Sequence, residues 1–293
     1  MVKDTAKDLI YWMEERQRIY WNRKSGAPPP WTKDPILKKY FFCNVYREQD
    51  KVTEWIRVNW REPFSEHKNL WFAMCIARQI NLPSTLEVLG FPKRWDPEKA
   101  EKKLAKLKED GKKIYSGAYM LCGHGHEEKY MTTVWKILNN IWNIAKEETP
   151  PWISEDNPTL ENSWNWLNGR FGFGPFLSYE VITDLRHTRY LRNAPDIYDW
   201  ANPGPGAKRG LNRMYGRETN SHLNRDQAIE EMRFVRDIVV KHRDENLLPT
   251  IELRDIEHSL CELDKYLRAK EMEEGTTKSA LRKFPGGSAL VYK

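Results

Sequence analysis

The 293-residue chain is poor in cysteine and has no long apolar run, and each shortage excludes a class of protein. Its four cysteines, Cys43, Cys75, Cys122 and Cys261, are far apart and form no CxxC pair, which indicates reduced thiols rather than a disulfide frame. No stretch approaches the roughly 20 apolar residues that a membrane-spanning helix needs. The opening MVKDTAKDLIYWMEERQRIYW has no basic n-region followed by an apolar core, so no secretory leader is expected there. Period-two alternation is scarce, and no repeat of solenoid length occurs. GxxxxGK[ST] is absent too, which argues against a free-standing ATP kinase. The expected setting is therefore cytoplasmic, without a membrane.

What is present is an ordinary globular balance, 40% apolar and 31% charged, with 13 tryptophans and 13 tyrosines. Such aromatic side chains mostly build core, and some can stack on bases. Helical spacing dominates. Residues 4–23 predict a helix that SGAPPP ends, and Asp34 with Pro35 is an N-cap followed by a first-turn proline. DPILKKYFFCNVYREQDKVTEWIRVNW predicts two helical stretches. KNLWFAMCIARQI predicts an apolar helix, and DPEKAEKKLAKLKEDGKK a charged one read as a solvated face. The fold expected is all-α or nearly so: one helical domain over 1–272 and a loosely held tail over 273–293.

Residues 170–185, RFGFGPFLSYEVITDL, resemble no dinucleotide fingerprint, because a third glycine and a preceding strand are lacking. They fit a helix–hairpin–helix: LENSWNWLNGR first, a hairpin with Gly172 and Gly174, then a helix opened by Pro175 with Leu177, Val181 and Leu185 inward. Such glycines either present backbone N–H groups to a DNA phosphate or let two helices approach closely. Downstream, NPGPGAKRGLNR carries Gly204 and Gly206 in a loop, then Lys208, Arg209 and Arg213, with no acid between residues 200 and 217. Glycine N–H groups with clustered cations suit a phosphate.

Candidate carboxylates flank these elements. Asp196 and Asp199 stand about 20 residues beyond the hairpin, loosely resembling the catalytic aspartate of helix–hairpin–helix base-excision glycosylases; a cap or ion pair is the alternative role. Asn44, Arg47 and Asp50, three apart, fall near one helix face and suit a base edge or a phosphate, or else a buried network. The last helix has a core stripe of Leu253, Ile256, Leu260, Leu263 and Leu267. Glu257, Cys261, Asp264 and Arg268 flank it, so Glu257 is expected half-buried, as an acid–base group or a structural one. CGHGHEEK offers Cys122, His124 and His126 but no second ligand pair, so no metal is expected.

Read together, WTKDPILKKYFFCNVYREQDKVT, NPGPGAKRGLNR and LRDIEHSLCELDKYLR resemble the signature blocks of a phage DNA base hypermodification family: the α-glutamyl/putrescinyl-thymine pyrophosphorylase group, with the helical domain of 5-hydroxymethyluracil DNA kinases. The resemblance runs from about residue 8 to about residue 270. It implies a helical fold related to helix–hairpin–helix glycosylases, with the hairpin and cationic loop at 160–217. It further implies action in phage-infected cells on double-stranded DNA containing modified thymine. There an amine or amino acid, or a polyamine such as putrescine, displaces the phosphate of phosphorylated 5-hydroxymethyluracil without a cofactor. The residues placed in roles are Asp196 or Glu257 as proton acceptor, and Arg18, Asn44, Arg47, Asp50, Lys208, Arg209 and Arg213 on the substrate. Gly172, Gly174, Gly204 and Gly206 are placed on the DNA. A glycosylase acting on a modified base, and a DNA-binding module that partners a DNA kinase, are the alternatives.

Overall fold

Alternating apolar and polar stretches at helical spacing, punctuated by Asp-Pro, Leu-Pro and Gly-Pro starts, produce a chain whose described residues, 2–117 and 128–276 of a computed structural model, contain helices and no strand. The helices are α1 (Val2–Lys24), α2 (Pro35–Lys39), α3 (Lys51–Ile56), α4 (Leu70–Ile80), α5 (Pro83–Leu89), α6 (Pro97–Glu109) and α7 (Lys129–Met131). They continue as α8 (Asn140–Glu147), α9 (Pro151–Ser154), α10 (Leu160–Asn168), α11 (Pro175–Leu185), α12 (Pro205–Met214), α13 (Arg225–His242) and α14 (Leu253–Glu273). Wider π-helical turns extend α3 over Arg57–Arg61 and join α7 to α8 over Thr132–Asn139. The all-α expectation is met. Cys122, His124 and His126, and the tail beyond residue 276, lie outside the described residues.

The start signals act as expected. Asp34 Oδ1 accepts from the N–H groups of Ile36 and Leu37, both at 2.8 Å, and Pro35 opens α2. Asp96, Thr159 and Asn224 cap α6, α10 and α13 through their side chains. Glu252 and Asp255 form a reciprocal capping box on α14.

The chain forms two compact units. One is discontinuous, taken from Met1–Asp50 and Ile197–Lys293; the other is central, Lys51–Asp196. In the discontinuous unit α14 is the spine, packed by α12, α13, α1 and α2. Leu253, Ile256, Leu260 and Leu263 are fully buried, as their spacing predicts. At the next turn Tyr266 and Ala269 take the core position, and Leu267 is only half-buried. Tyr266 is held inward because its hydroxyl donates to Asp34 Oδ2 at 2.7 Å, joining α14 to the start of α2. α12 lies very close to α14: a Cβ at Gly206 would fall 2.2 Å from Cys261 Sγ, and one at Gly210 would fall 2.3 Å from the Leu260 carbonyl oxygen. Only glycine permits that approach.

In the central unit α4 and α11 are the inner helices. Every residue of α4 is buried, and α11 is buried from Ser178 to Leu185, so it is enclosed more completely than its Leu177, Val181, Leu185 stripe predicts. Their shared interior holds ions: Arg78 binds Asp184 through Nε–Oδ2 at 2.6 Å and Nη2–Oδ1 at 2.7 Å, and Arg61 lies 3.5 Å from the same carboxylate. α10 and α11 form the expected helical pair, joined by residues 169–174. Trp164 Nε1 donates to the Pro175 carbonyl at 3.0 Å, and Phe173 is fully buried beneath the turn.

Candidate functional site

In the discontinuous unit, three segments far apart in sequence meet, two of them converging on the third, α14. The first is the loop after α2. It was expected to place Asn44, Arg47 and Asp50 on a helix face; instead it is extended and closes through a single 3-10 turn, Arg47–Gln49. The three residues nevertheless meet. Asp50 Oδ1 accepts from the Asn44 N–H at 3.0 Å and from Asn44 Nδ2 at 2.9 Å, and Asp50 Oδ2 accepts from Arg47 Nη1 at 3.1 Å. The Cys43 N–H donates to Glu262 Oε2 on α14 at 3.0 Å, which anchors the loop.

Sequence reasoning missed Arg16. Its Nε donates to the Cys43 carbonyl at 3.0 Å, it is 7% exposed, and its Nη1 is buried with no hydrogen-bond partner among the described residues. Burial works against its charge, and the Asp50 carboxylate works for it. The available signal was helical spacing: Arg16 lies three and four residues beyond the fully buried Met13 and Trp12, on the inward face of α1. Arg18, which sequence reasoning chose instead, is on a more exposed face and pairs with Glu14 at 3.3 Å and Glu15 at 3.1 Å.

The second segment is α12. Residues 204–213 were expected as a cationic loop; Pro205–Met214 is instead a helix that Gly204 and Pro205 begin. A proline at the first position loses no hydrogen bond there, and the Gly204 N–H is taken by Glu257 Oε1 at 3.0 Å. Arg209 and Arg213 both reach Asp264, each through Nε at 2.9 Å, and Arg213 Nη1 also binds Glu271 at 2.5 Å. Asp264 is fully buried and further engages Arg268 at 3.3 Å. Lys208 has no carboxylate partner among the described residues.

The third segment is the face of α14 itself. Glu257 is half-buried, as expected. Cys261 and Glu262 lie one turn on, and Lys265 Nζ donates to Glu262 Oε2 at 3.1 Å while lying 4.7 Å from the Phe42 ring centre. Burial, then the negative charges of Glu262 and Glu257, push the Cys261 thiol up to about 12. Burial and Glu262 push the Cys43 thiol upward as well. Cys43, Asp50 and His258 place donor atoms within 4.8 Å of one another, a set able to hold a metal ion. Both Asp50 oxygens, however, already accept from Asn44 and Arg47, so three protein donors compete for that position.

The remaining candidates are dispersed. Asp196 is in the central unit, where its oxygens accept from the Leu160 and Glu161 N–H groups at 2.8 and 3.0 Å, supplementing the cap of α10. Asp199 is in the discontinuous unit, and its carbonyl accepts from Arg233 Nε at 2.7 Å. Gly172 has φ +80°, a Cβ there would strike Ile137 at 2.5 Å, and its carbonyl accepts from Gln79 Nε2 at 2.8 Å. Gly174, the N-cap of α11, has open space where a Cβ would point, and Phe171 and Phe176, on either side of it in sequence, are exposed.

The family model described as the helical domain of 5-hmdU DNA kinase matches residues 3–275. A curated relative, the 5-hmdU DNA kinase of Bacillus phage SP10, is 26% identical over 293 residues, covering 89% of this chain and 44% of that protein. The chain thus spans less than half the length of the curated relative it matches. No solved structure matches.

Proposed function

The chain belongs to the family of 5-hmdU DNA kinase helical domains, and on that premise we propose that it acts in phage thymine hypermodification, as the transferase that installs an amine on activated 5-hydroxymethyluracil in DNA. The observation that carries this reading is the convergence of loop 41–50, the start of α12 and the Glu257–Lys265 face of α14 in one polar cluster. In the proposed step the nitrogen of an amino acid or polyamine attacks the 5-methylene carbon. The C–N bond forms as the C–O bond to phosphate breaks, and the phosphate leaves with the bonding electrons. A proton from the nitrogen passes to a carboxylate.

Glu257 is the stronger candidate for that carboxylate, because both Asp196 oxygens are engaged in capping α10. Lys208 is assigned to the departing phosphate's charge, beside Arg209 and Arg213, which Asp264 holds. Asn44, Arg47 and Asp50 are assigned to the base or to the amine donor's carboxylate, with Arg18 further along α1. The α10–α11 pair is read as a helix–hairpin–helix contact to the DNA backbone through Gly172 and Gly174, with Gly204 and Gly206 serving the start of α12. The target base must unstack, at a cost of a few kcal/mol.

The test incubates the protein with phosphorylated 5-hydroxymethyluracil DNA and a pool of amines, then analyses the nucleosides by mass spectrometry. A new amine-bearing nucleoside is expected, and it should disappear with Glu257→Gln. Recovery of the phosphorylated base alone, across all donors, overturns the transferase reading. Alkali-labile strand scission would point to a glycosylase instead.

A second reading is that the chain recognises DNA on behalf of a kinase. It is favoured by the match to a kinase's helical part, over 44% of that protein's length. Under it, Glu257→Gln and Asp196→Asn leave formation of the modified base in cells intact.

A further inference from the structure

The central unit holds a cavity of about 280 Å³ that none of the roles above uses. Its apolar floor is Ala100 and Leu104 of α6 with Val134 and Leu138 of the π-helical segment, and Ile76 and Ile80 of α4 also line it. The segment Gly90–Asp96 forms one wall and contributes two aromatic rings. Phe91 is stacked on Phe64 at 3.9 Å, and Trp95 is anchored by its Nε1 donating to Asn139 Oδ1 at 3.1 Å. Both rings are thereby fixed before any ligand arrives.

The rim is cationic. Lys93, Arg94, Lys99 and Lys103 all line the cavity, and none forms an ion pair with a carboxylate among the described residues. Lys93 lies 5.5 Å from the Phe64 ring centre, and Lys103 Nζ donates to the Leu89 carbonyl at 2.8 Å. Partial burial and the neighbouring Lys99 lower the Lys103 pKa, the direction expected where like charges are gathered without a counter-ion. The one carboxylate among the lining residues, Asp96, is turned to the Lys99 N–H as the cap of α6.

An apolar cavity lined by two aromatic rings and four cations, three of them exposed, suits a flat ring that carries a phosphate. The volume lies just under the roughly 300–1,000 Å³ of small-molecule sites, which suits one ring and not a dinucleotide. We propose that this cavity binds a pyrimidine nucleoside monophosphate unit, with the ring against Phe91, Trp95 and Leu104 and the phosphate on Arg94, Lys99 and Lys103. The unit has two sources of identical chemistry, a free nucleotide or one residue of a DNA strand.

Isothermal titration calorimetry on the full chain decides the matter, with thymidine 5′-monophosphate, thymidine, inorganic phosphate and a short oligothymidylate as titrants. Thymidine monophosphate is expected to bind at least tenfold more tightly than either thymidine or phosphate alone. The double variant R94E/K99E, both of whose positions are exposed, should weaken that binding at least tenfold while its circular dichroism and melting temperature stay near wild type. A bulkier floor, Ala100→Leu, should reduce binding of the monophosphate more than that of phosphate. Preference for the oligonucleotide over the free nucleotide assigns the site to a strand, and the reverse assigns it to a metabolite; either supports the proposal. No binding, equal binding of bare phosphate, or binding indifferent to R94E/K99E overturns it. This outcome is independent of the transferase assay, which reads product formation assigned to the other unit.

Discussion

Two cationic stretches, α12 in the discontinuous unit and the cavity rim in the central unit, read one way in sequence and the opposite way in three dimensions. Residues 200–217 contain no acid, yet Arg209 and Arg213 are both neutralised by Asp264, and Arg213 again by Glu271. The segment 96–113 mixes charges freely and reads as a solvated face, yet its Lys99 and Lys103, with Lys93 and Arg94 just before it, line a cavity without a carboxylate partner among the described residues. Counting acids along the chain measures proximity in sequence, whereas ion pairing depends on what packs alongside. The α12 arginines are thus held rigidly by a buried carboxylate, and the rim cations remain available to an anion from outside.

The hardest blow to this contrast is Asp264→Ala. It leaves Arg209, Arg213 and Arg268 around a buried, emptied position, so a loss of about 3–5 kcal/mol is expected in denaturant unfolding. R94E/K99E should change stability by less than about 0.5 kcal/mol, as expected of exposed positions outside the packed core. If the two cost the same, the distinction between structural and available cations fails. Next is Gly210→Ala, whose Cβ must displace the Leu260 backbone; about 1–3 kcal/mol should be lost. Gly174→Ala, with open space at the same atom, should lose much less in the same measurement.

A smaller effect is expected at Lys208, the α12 cation without a carboxylate partner among the described residues. If it meets a phosphate, Lys208→Glu should weaken DNA binding and lower the slope of log affinity against log salt by about 1. The least conspicuous expectation is chemical. Burial and two neighbouring carboxylates raise Cys261 to about 12, so the group is a protonated thiol at pH 7–8. Alkylation by iodoacetamide, followed by peptide mass spectrometry, should be slow there in the native protein and fast after denaturation.

Much of the fold was legible because its signals are local. The Asp34–Pro35 start, the Pro175 start of α11 and the Leu253–Leu263 part of the α14 stripe each lie within one or two turns, and the structure contains them. The site was legible in part. Asn44, Arg47 and Asp50 do meet, although through a loop and a 3-10 turn rather than along a helix face. Glu257 is half-buried as its position beside the stripe predicts, and its bond to the Gly204 N–H was out of reach of any periodicity. Arg16 was missed because the Cys43 carbonyl that its Nε meets lies 27 positions away, outside any helical window.

The sequence by itself determined an all-helical chain, where several of its helices begin, and which of their faces turn inward, because caps, prolines and i, i+4 spacing act over about 6 Å. Tertiary structure decided which charges are neutralised and which remain available. Arg209 and Arg213 meet Asp264 across 55 and 51 positions of chain. That meeting depends on α12 lying against α14 at a distance only Gly206 and Gly210 allow. Charge pairing is set by the packing of whole helices, and no window of neighbouring residues contains that information.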